Sequence, residues 1–196
     1  MPEAGVPVLR GLVLAGGASS RLGRDKAGVA YDGTTLLERA AALLGEFTVA
    51  VHVSVRDGQR HEPLRARFAL VVDELDGCGP AAGLVAAHRL QPHSAWLVLA
   101  CDMPQVTRSL LGQLVAGRDP GRDATAFRSA ADGLPEPLCA IYEPATLARF
   151  RALVEAGGDS SPRRWLGSQD TRLLDAPPAR ALDSINTPED LSRLGR

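Results

Sequence analysis

A glycine-rich segment, residues 14–26, contains the residue types from which a phosphate-binding loop could be built. It reads Leu-Ala-Gly-Gly-Ala-Ser-Ser-Arg-Leu-Gly-Arg-Asp-Lys and directly follows a short apolar run. Gly16 and Gly17 allow the backbone to turn sharply and to approach a ligand without Cβ clashes, and successive N–H groups in such a turn form an anion site. Arg21 and Lys26 add the cations that a triphosphate would need. Because the spacing is neither the dinucleotide fingerprint GxGxxG nor the P-loop GxxxxGK[ST], we expect a phosphate-binding loop of another type.

Lys26 is the only lysine among the 22 basic residues, and Asn186 is the only asparagine. Lysine is a compact point charge on a flexible stem, whereas arginine is a planar fork. The lysine at the end of this motif suggests contact with phosphate. The alternative is that its position is a matter of chance, since the rare residues of any chain must lie somewhere. Asn186 precedes Thr187-Pro188-Glu189, a helix-entry sequence in which Asn186 or Thr187 caps the helix.

Two aspartates stand where apolar strand-like runs end. Asp102 comes just after the run 95–100, and Asp73 directly follows the run 69–72. In open α/β sheets, ligands bind beyond the carboxyl ends of strands near a topological switch point, so both carboxylates are candidates for a ligand crevice. In the alternative interpretation, Asp102 forms an ordinary turn before Pro104 and Asp73 belongs to an exposed acidic stretch. The residues alone leave both interpretations open.

Apolar runs alternate with amphipathic helical segments along the chain, and these elements must position the candidate residues. Strands are predicted at 8–15, 49–55, 69–72, 95–100, 124–127, 138–142 and 171–174, and helices at 35–44, 79–90, 107–116, 144–156, 161–166 and 187–194. The alternation predicts a single α/β domain in three layers, with a mostly parallel sheet covered by helices on both faces.

Composition excludes several classes of protein. A net charge of -1 argues against a broad nucleic-acid-binding surface. No apolar run approaches the roughly 20 residues that span a bilayer, and the N-terminus lacks the pattern of a secretory signal. Cys78, Cys101 and Cys139 fit neither a disulfide framework nor a zinc site; we expect Cys101 to be buried rather than nucleophilic, because no histidine partner is indicated. These features predict a cytoplasmic protein that contacts neither nucleic acid nor membrane.

The glycine-rich segment resembles that of the Rossmann-like nucleotidyltransferases. It matches the molybdenum cofactor guanylyltransferases at every position of the pattern GGxSxRxGxDK. The resemblance continues in order through Gly-Pro-Ala-Ala-Gly at 79–83, Cys-Asp-Met-Pro at 101–104, Glu-Pro-Leu at 136–138 and Asn-Thr-Pro-Glu at 186–189, and so covers essentially the full chain. It implies a Rossmann-like fold, Mg²⁺ as cofactor, and transfer of GMP from GTP to the phosphate of molybdopterin or molybdenum cofactor.

The resemblance also implies residue roles. Lys26, Arg21 and Asp102 would be catalytic, Asp102 would be the Mg²⁺ ligand, and Asn186 would lie on the side of the metal or the pterin acceptor. The nucleotide-binding set would be Leu14, Ala15, Gly16, Gly17, Ser19, Arg21, Lys26, Ser54, Asp73, Gly79 and Asp102. Residues 1–118 would form the nucleotide-binding half and residues 119–196 the acceptor half, with transient contacts to other cofactor-maturation proteins.

Ser54 departs from the family pattern, which often has asparagine near the end of the second strand, and Ser54 has fewer hydrogen-bonding groups than asparagine. Two alternatives to GMP transfer therefore stay open: a related cytidylyltransferase acting on the same pterin or on a sugar or isoprenoid phosphate, and a nucleotide-binding protein without turnover. Lys26 and Asp102 together count against the second, because binding alone does not demand both. The run Arg163-Arg164-Trp165 is either an anion site or a solvated helix start with its tryptophan packed inward.

Overall fold

A seven-stranded sheet forms the centre of the protein. The computed structural model describes residues 5–16, 25–187, 189–190 and 192. Its strands are β1 (Leu9–Leu14), β2 (Ala30–Tyr31), β3 (Thr34–Thr35), β4 (Val51–Arg56), β5 (Ala69–Asp73), β6 (Ala95–Ala100), β7 (Ala124–Arg128), β8 (Pro135–Tyr142) and β9 (Thr171–Leu174). The order in the large sheet is β5-β4-β1-β6-β8-β7-β9, with β8 antiparallel to both neighbours and the other pairings parallel. The predicted mostly parallel sheet is confirmed.

Five complete α-helices lie within the described residues, and each begins where the sequence provides a start. They are α1 (Leu36–Gly45), α2 (Pro80–Leu90), α3 (Arg108–Ala116), α4 (Pro144–Glu155) and α5 (Pro162–Ser168). Thr35 caps α1 in a capping box with Glu38, and Thr107 accepts a hydrogen bond from Leu110 N at the start of α3. Among the described residues, no helix is long and apolar enough to cross a membrane.

The helices cover both faces of the sheet, as the alternation predicted. Along β6, Leu97 and Leu99 pack into the core that contains α1 and α3, whereas Trp96 and Val98 pack into the core that contains α2, α4 and α5. Every residue of β6 is buried, because successive side chains point to opposite faces and both faces carry helices. The continuous apolar run of this strand is therefore required by its central place.

Two parts of the fold differ from the sequence predictions. A short hairpin of β2 and β3 was not predicted; its turn places Asp32 at φ 50° and Gly33 at φ 80°, as a two-residue type I′ turn requires. The final helix predicted at 187–194 falls largely outside the described residues. Its start is described, with Thr187 Oγ1 accepting a hydrogen bond from Asp190 N at 3.2 Å, so Thr187 rather than Asn186 caps it.

The strand order brings the ends of β1, β4, β5 and β6 to one edge of the sheet. From β1 the chain continues to β4 and β5 on one side and then returns to β6 on the other side of β1. In register, Leu14 lies between Ser54 and Ala100, and Arg56 lies beside Asp73. The space beyond β1 and β6 is thus the topological switch point at which α/β folds bind ligands.

Candidate functional site

A cavity of about 450 Å³ opens at this switch point, within the range of roughly 300–1,000 Å³ that is usual for small-molecule sites. Eight of the residues predicted to bind nucleotide line it: Leu14, Ala15, Gly16, Lys26, Ser54, Asp73, Gly79 and Asp102. Gly17, Ser19 and Arg21, also predicted for this site, lie outside the described residues. The structure therefore brings together every described member of the predicted nucleotide set, although their roles stay predictions.

Lys26 and Asp102 form an ion pair in this cavity. The Nζ of Lys26 lies 2.8 Å from Asp102 Oδ2, and each side chain is only 19% exposed. Lys26 Nζ also donates a hydrogen bond to Asn186 Oδ1 at 2.8 Å. The lone lysine of the chain thus contacts both the lone asparagine and the strand-end aspartate, which places Asn186 beside the cavity; its predicted role on the side of the metal or the pterin acceptor stays a prediction.

Asn186 reaches this position because the segment before the final helix is attached to the end of β6. The backbone N–H of Ile185 donates to the carbonyl of Asp102 at 2.8 Å, and the side chain of Ile185 is buried. Asp190 accepts hydrogen bonds from the backbone N–H groups of Asn186 and Thr187. Since Thr187 performs the capping, the side chain of Asn186 is left to contact Lys26.

A buried arginine joins the two sides of the glycine-rich segment. Arg65 is completely buried; its Nη1 donates to Asp25 Oδ2 at 2.7 Å and its Nη2 donates to Asp25 Oδ1 at 3.0 Å. The same Nη2 donates to the carbonyl of Ala15 at 2.9 Å, and Glu62 accepts a further bond from Nη1. Burial raises the pKa of Asp25, but its hydrogen bond and ion pair with Arg65 outweigh this and hold the pKa below the ordinary value.

Asp73 lies on the wall of the cavity at the end of β5, whereas Asp102 follows β6, on the other side of β1 and β4 in the sheet. The carboxylate of Asp73 lies close to Gly16. A Cβ at Gly16 would lie 3.2 Å from Asp73 Oδ2, so glycine allows this approach. Burial raises the pKa of Asp73 above its ordinary value; the charge of Arg56 and a hydrogen bond from Ser54 oppose the rise only in part. A desolvated carboxylate facing a ligand cavity is a candidate for contact with hydrogen-bond donors of a ligand.

Small residues at the start of α2 shape the cavity floor. Gly79 precedes the helix at φ 54° and ψ -133°, a conformation that side-chain-bearing residues rarely adopt. At Gly83 an added Cβ would lie 2.8 Å from Leu14 Cδ2 and closer still to Ser54 Oγ. Gly83 thus lets the helix approach β1 and β4 closely, with Ser54 buried between them.

Among the described residues that line the cavity, Cys101 carries the thiol. Burial raises the pKa of Cys101 to about 12, so the prediction that it is buried rather than nucleophilic agrees with its surroundings. Asp25, Asp73, Asp76 and Asp102 line the cavity. Within the part of the chain that the structure describes, no three His, Cys, Asp or Glu side chains form a cluster that could hold a metal ion.

No role was predicted from the sequence for Arg65, Asp25 or Arg56. Asp25 stands inside the glycine-rich motif and could have been singled out there, and Arg56 follows the predicted second strand. Arg65 lies in an irregular segment with no motif, so no local pattern marked it. The basic run at 163–165 is a solvated helix start: its first arginine pairs with Asp132, its second with Asp159, and its tryptophan packs on Phe150.

Comparisons with known proteins give a consistent result. The family model described as the MobA-like NTP transferase domain matches residues 11–173. The chain is 34% identical to the molybdenum cofactor guanylyltransferase of Pseudomonas paraeruginosa, over 98% of both proteins. It is 31% identical, over 95% of its length, to the molybdenum cofactor biosynthesis bifunctional protein of Synechocystis, of which it spans about half, 53%. The crystal structure of molybdopterin-guanine dinucleotide biosynthesis protein A from Archaeoglobus fulgidus superposes with a TM-score of 0.77 at 27% identity, covering 94% of this chain and 96% of that one.

Proposed function

This chain belongs to the MobA-like NTP transferase family, and we propose that it transfers GMP from GTP to the phosphate of molybdopterin or molybdenum cofactor, with release of pyrophosphate. The observation that carries this proposal is the Lys26–Asp102 ion pair at the switch-point cavity, next to the glycine-rich segment. The guanylyltransferase name of the relative from Pseudomonas paraeruginosa supports GTP and a molybdopterin acceptor as substrates.

The reaction needs little help with proton transfer. An oxygen of the acceptor phosphate attacks the α-phosphorus of GTP, the new P–O bond forms, and the bond between the α-phosphorus and its bridging oxygen breaks. The electron pair leaves with pyrophosphate. Because the nucleophile is already an anion, catalysis consists of positioning and charge neutralisation. This suits a cavity lined by a lysine, aspartates and glycines, with the neighbouring Cys101 held as a thiol.

Lys26 and Arg21 are the residues that we propose stabilise the negative charge that develops on the phosphates. The ammonium group of Lys26 already lies at the cavity between Asp102 and Asn186. Backbone N–H groups of the glycine-rich segment, Gly16, Gly17 and Ser19 included, would add donors to the same phosphates. Asp73, Ser54 and Gly79 would contact the base and ribose on the other wall.

We propose Mg²⁺ as the cofactor, with Asp102 as its protein ligand. Asp102 and Asn186 present oxygen atoms within 2.8 Å of the same ammonium group, and Mg²⁺ prefers oxygen ligands, keeps several waters and needs few carboxylates alongside substrate phosphates. The donors present fit that ion. When bound, it would neutralise charge on the reacting phosphates, while Lys26 and Asn186 orient the carboxylate.

Residues 119–196 are proposed to form the acceptor half of one continuous domain. Leu138 on β8 is the member of this half that lines the cavity, and β8 joins the two halves by pairing with β6. The pterin would approach from this side, beside Asn186. We further propose that the protein acts in the cytoplasm and receives its pterin through transient contacts with other maturation proteins.

A pyrophosphate-release assay tests the proposal. The full chain is incubated with Mg²⁺ and molybdopterin and with each of the four ribonucleoside triphosphates in turn. Of the four nucleotides, we expect only GTP to support pyrophosphate release in the presence of molybdopterin. Release with CTP instead would overturn the assignment of the nucleotide and favour a cytidylyltransferase. Ser54, which stands where the family often has asparagine, would then be a candidate for the difference in base recognition. Tight nucleotide binding without release would identify a binding protein without turnover.

A further inference from the structure

Arg65 is the most deeply buried charged group at the edge of the cavity. It is 0% exposed, whereas the side chain of its partner Asp25 is 44% exposed. Burying a guanidinium is costly unless its donors are satisfied. The hydrogen bonds from its two terminal nitrogens go to Asp25, Glu62 and the carbonyl of Ala15, whereas its Nε is buried without a hydrogen-bond partner among the described residues. A charge buried at this cost and joined to the glycine-rich motif calls for a functional explanation.

The contacts of Arg65 have a specific geometry. Ala15 directly follows the last residue of β1, and Asp25 directly precedes Lys26. One planar guanidinium thus fixes the distance between the two positions that flank residues 16–24. Asp25 Oδ1 also accepts a hydrogen bond from Ala27 N at 3.2 Å, so the same carboxylate starts the 3-10 turn Lys26–Gly28. The position of Lys26 relative to the end of β1 therefore depends on Arg65.

We propose that Arg65 is a positioning residue for the nucleotidyl-transfer site: it fixes Ala15 and Asp25 relative to each other, and so places Lys26 for the phosphates of a nucleoside triphosphate. This inference rests on the proposed function. Arg65 is 0% exposed, so it acts through Asp25 and Ala15 rather than by contact with the nucleotide. We expect its effect to fall on the phosphates and to leave the base and ribose, which are proposed to contact Asp73 and Gly79, unchanged.

The test compares triphosphate and nucleoside binding in Arg65→Lys and Asp25→Asn. Lysine keeps the charge but lacks the planar fork whose two terminal nitrogens donate to Asp25 and Ala15. Asparagine at 25 keeps an oxygen for Ala27 N and changes a residue whose side chain is 44% exposed, so we expect it to lower the Tm less than Arg65→Lys does. Arg67→Lys is the matched control, because Arg67 lies in the same 3-10 turn, Arg65–Arg67, with its side chain 63% exposed and paired with Glu38. Binding of GTP and of guanosine is measured by calorimetry well below each variant's Tm.

We expect Arg65→Lys and Asp25→Asn to weaken GTP binding about tenfold and to lower kcat/KM by about 100-fold, the scale of a misplaced catalytic group. Guanosine affinity is expected to stay within about twofold, and the double variant to be no worse than the worse single one, because both disrupt one connection. Arg67→Lys is expected to match the wild type.

A merely structural role predicts equal losses for GTP and guanosine, and that result would overturn the proposal, as would unchanged GTP binding. Additive losses in the double variant would show that the two residues act separately and would overturn it as well.

Failure of the proposed function would look different. If another nucleotide is the substrate, the panel reveals it and the comparison is made with that triphosphate and its nucleoside. If turnover is absent, the binding comparison still tests Arg65.

Discussion

Lys26 and Asp102 are 76 positions apart in the chain, yet their charged atoms lie 2.8 Å from each other in the switch-point cavity. One ends the glycine-rich motif after β1 and the other follows β6, and these two strands are neighbours in the sheet. The fold therefore brings together the cation that we propose contacts phosphate and the oxygen that we propose binds Mg²⁺. Asn186 accepts a hydrogen bond from the same ammonium group and so helps to hold Lys26 beside Asp102.

The first prediction concerns the identity of the cation at position 26. Lys26→Arg keeps the charge but introduces a bulkier, planar group into a space already bounded by Asp102 and Asn186. We expect kcat to fall by roughly 100-fold or more, the scale of one lost preorganised electrostatic contact, and Lys26→Ala to be at least as impaired. Pyrophosphate release by folded protein is the measurement. Near-normal rates for Lys26→Arg would show that activity does not require a lysine at position 26.

The second prediction concerns the carboxylate of Asp102. Asp102→Asn leaves the side-chain shape unchanged while removing the charge that pairs with Lys26 and would hold Mg²⁺. We expect kcat to fall by about 100-fold or more and half-maximal activity to need a higher Mg²⁺ concentration. Asp57→Asn is the control, since the side chain of Asp57 is 76% exposed and pairs with the exposed Arg60. An unchanged Mg²⁺ dependence in Asp102→Asn would exclude Asp102 as a ligand.

The sequence was sufficient to predict the strands that meet at the cavity. The strands predicted at 69–72 and 95–100 agree with β5 and β6 to within a residue, because buried parallel strands require continuous apolar runs. The polar residues that follow these runs must lie at one edge of the sheet, so Asp73 and Asp102 could be placed together without a structure.

Other parts of the site depend on contacts that no local pattern carries. Arg65 acts on Asp25 across 40 positions, from an irregular segment whose composition resembles any surface loop. The contact of Asn186 with Lys26 spans 160 positions and depends on Thr187 taking the cap. By contrast, the hairpin turn at Asp32-Gly33 was predictable, since Asp-Gly is a strong type I′ turn sequence, but its strands are too short to show alternation.

The third prediction concerns cysteine reactivity. Cys101 and Cys139 are buried, and burial raises the pKa of each thiol to about 12, so at pH 8 neither provides thiolate. Cys78 is partly exposed and stands between Gly77 and Gly79, which line the cavity. Mass spectrometry of the native protein treated with iodoacetamide is expected to find one modified cysteine, Cys78, and slower modification in the presence of GTP. Rapid modification of Cys101 would contradict its burial.

The fourth prediction uses two glycines in helices. Gly83→Ala places a Cβ against Leu14 and Ser54, and we expect a loss of roughly 1–3 kcal/mol in unfolding free energy from overpacking. We also expect weaker nucleotide binding, because Ser54 is hydrogen-bonded to Asp73. Gly112→Ala in α3 is the control: its Cβ would lie 3.7 Å from Phe47, an ordinary contact, so alanine should stabilise by roughly 0.5–1 kcal/mol. Denaturant unfolding measures both. Equal effects of the two substitutions would contradict close packing of α2 on β1 and β4.

The last prediction separates stability from function at Asp73. Burial raises the pKa of Asp73 above the ordinary 3.8, so the folded state holds this proton more tightly than the unfolded chain. The contribution of Asp73 to stability is therefore fully present below pH 3.8 and is lost as the pH rises through the folded pKa. At pH 7 the ionised carboxylate therefore lowers the stability of the fold, and we propose that it is retained because a ligand uses the charge.

Asp73→Asn removes that cost, because the amide stays neutral at every pH. We expect its Tm to exceed that of the wild type at pH 7 and the difference to shrink as the pH approaches 4, while nucleotide affinity falls at pH 7. Thermal unfolding across this range, with the exposed Asp57→Asn as control, measures the first effect, and calorimetric titration with GTP measures the second. A variant that is less stable at pH 7 would show that Asp73 stabilises the fold, and a variant with unchanged affinity would remove it from the nucleotide site. Gain of stability together with loss of binding is the result that a carboxylate kept for its ligand predicts.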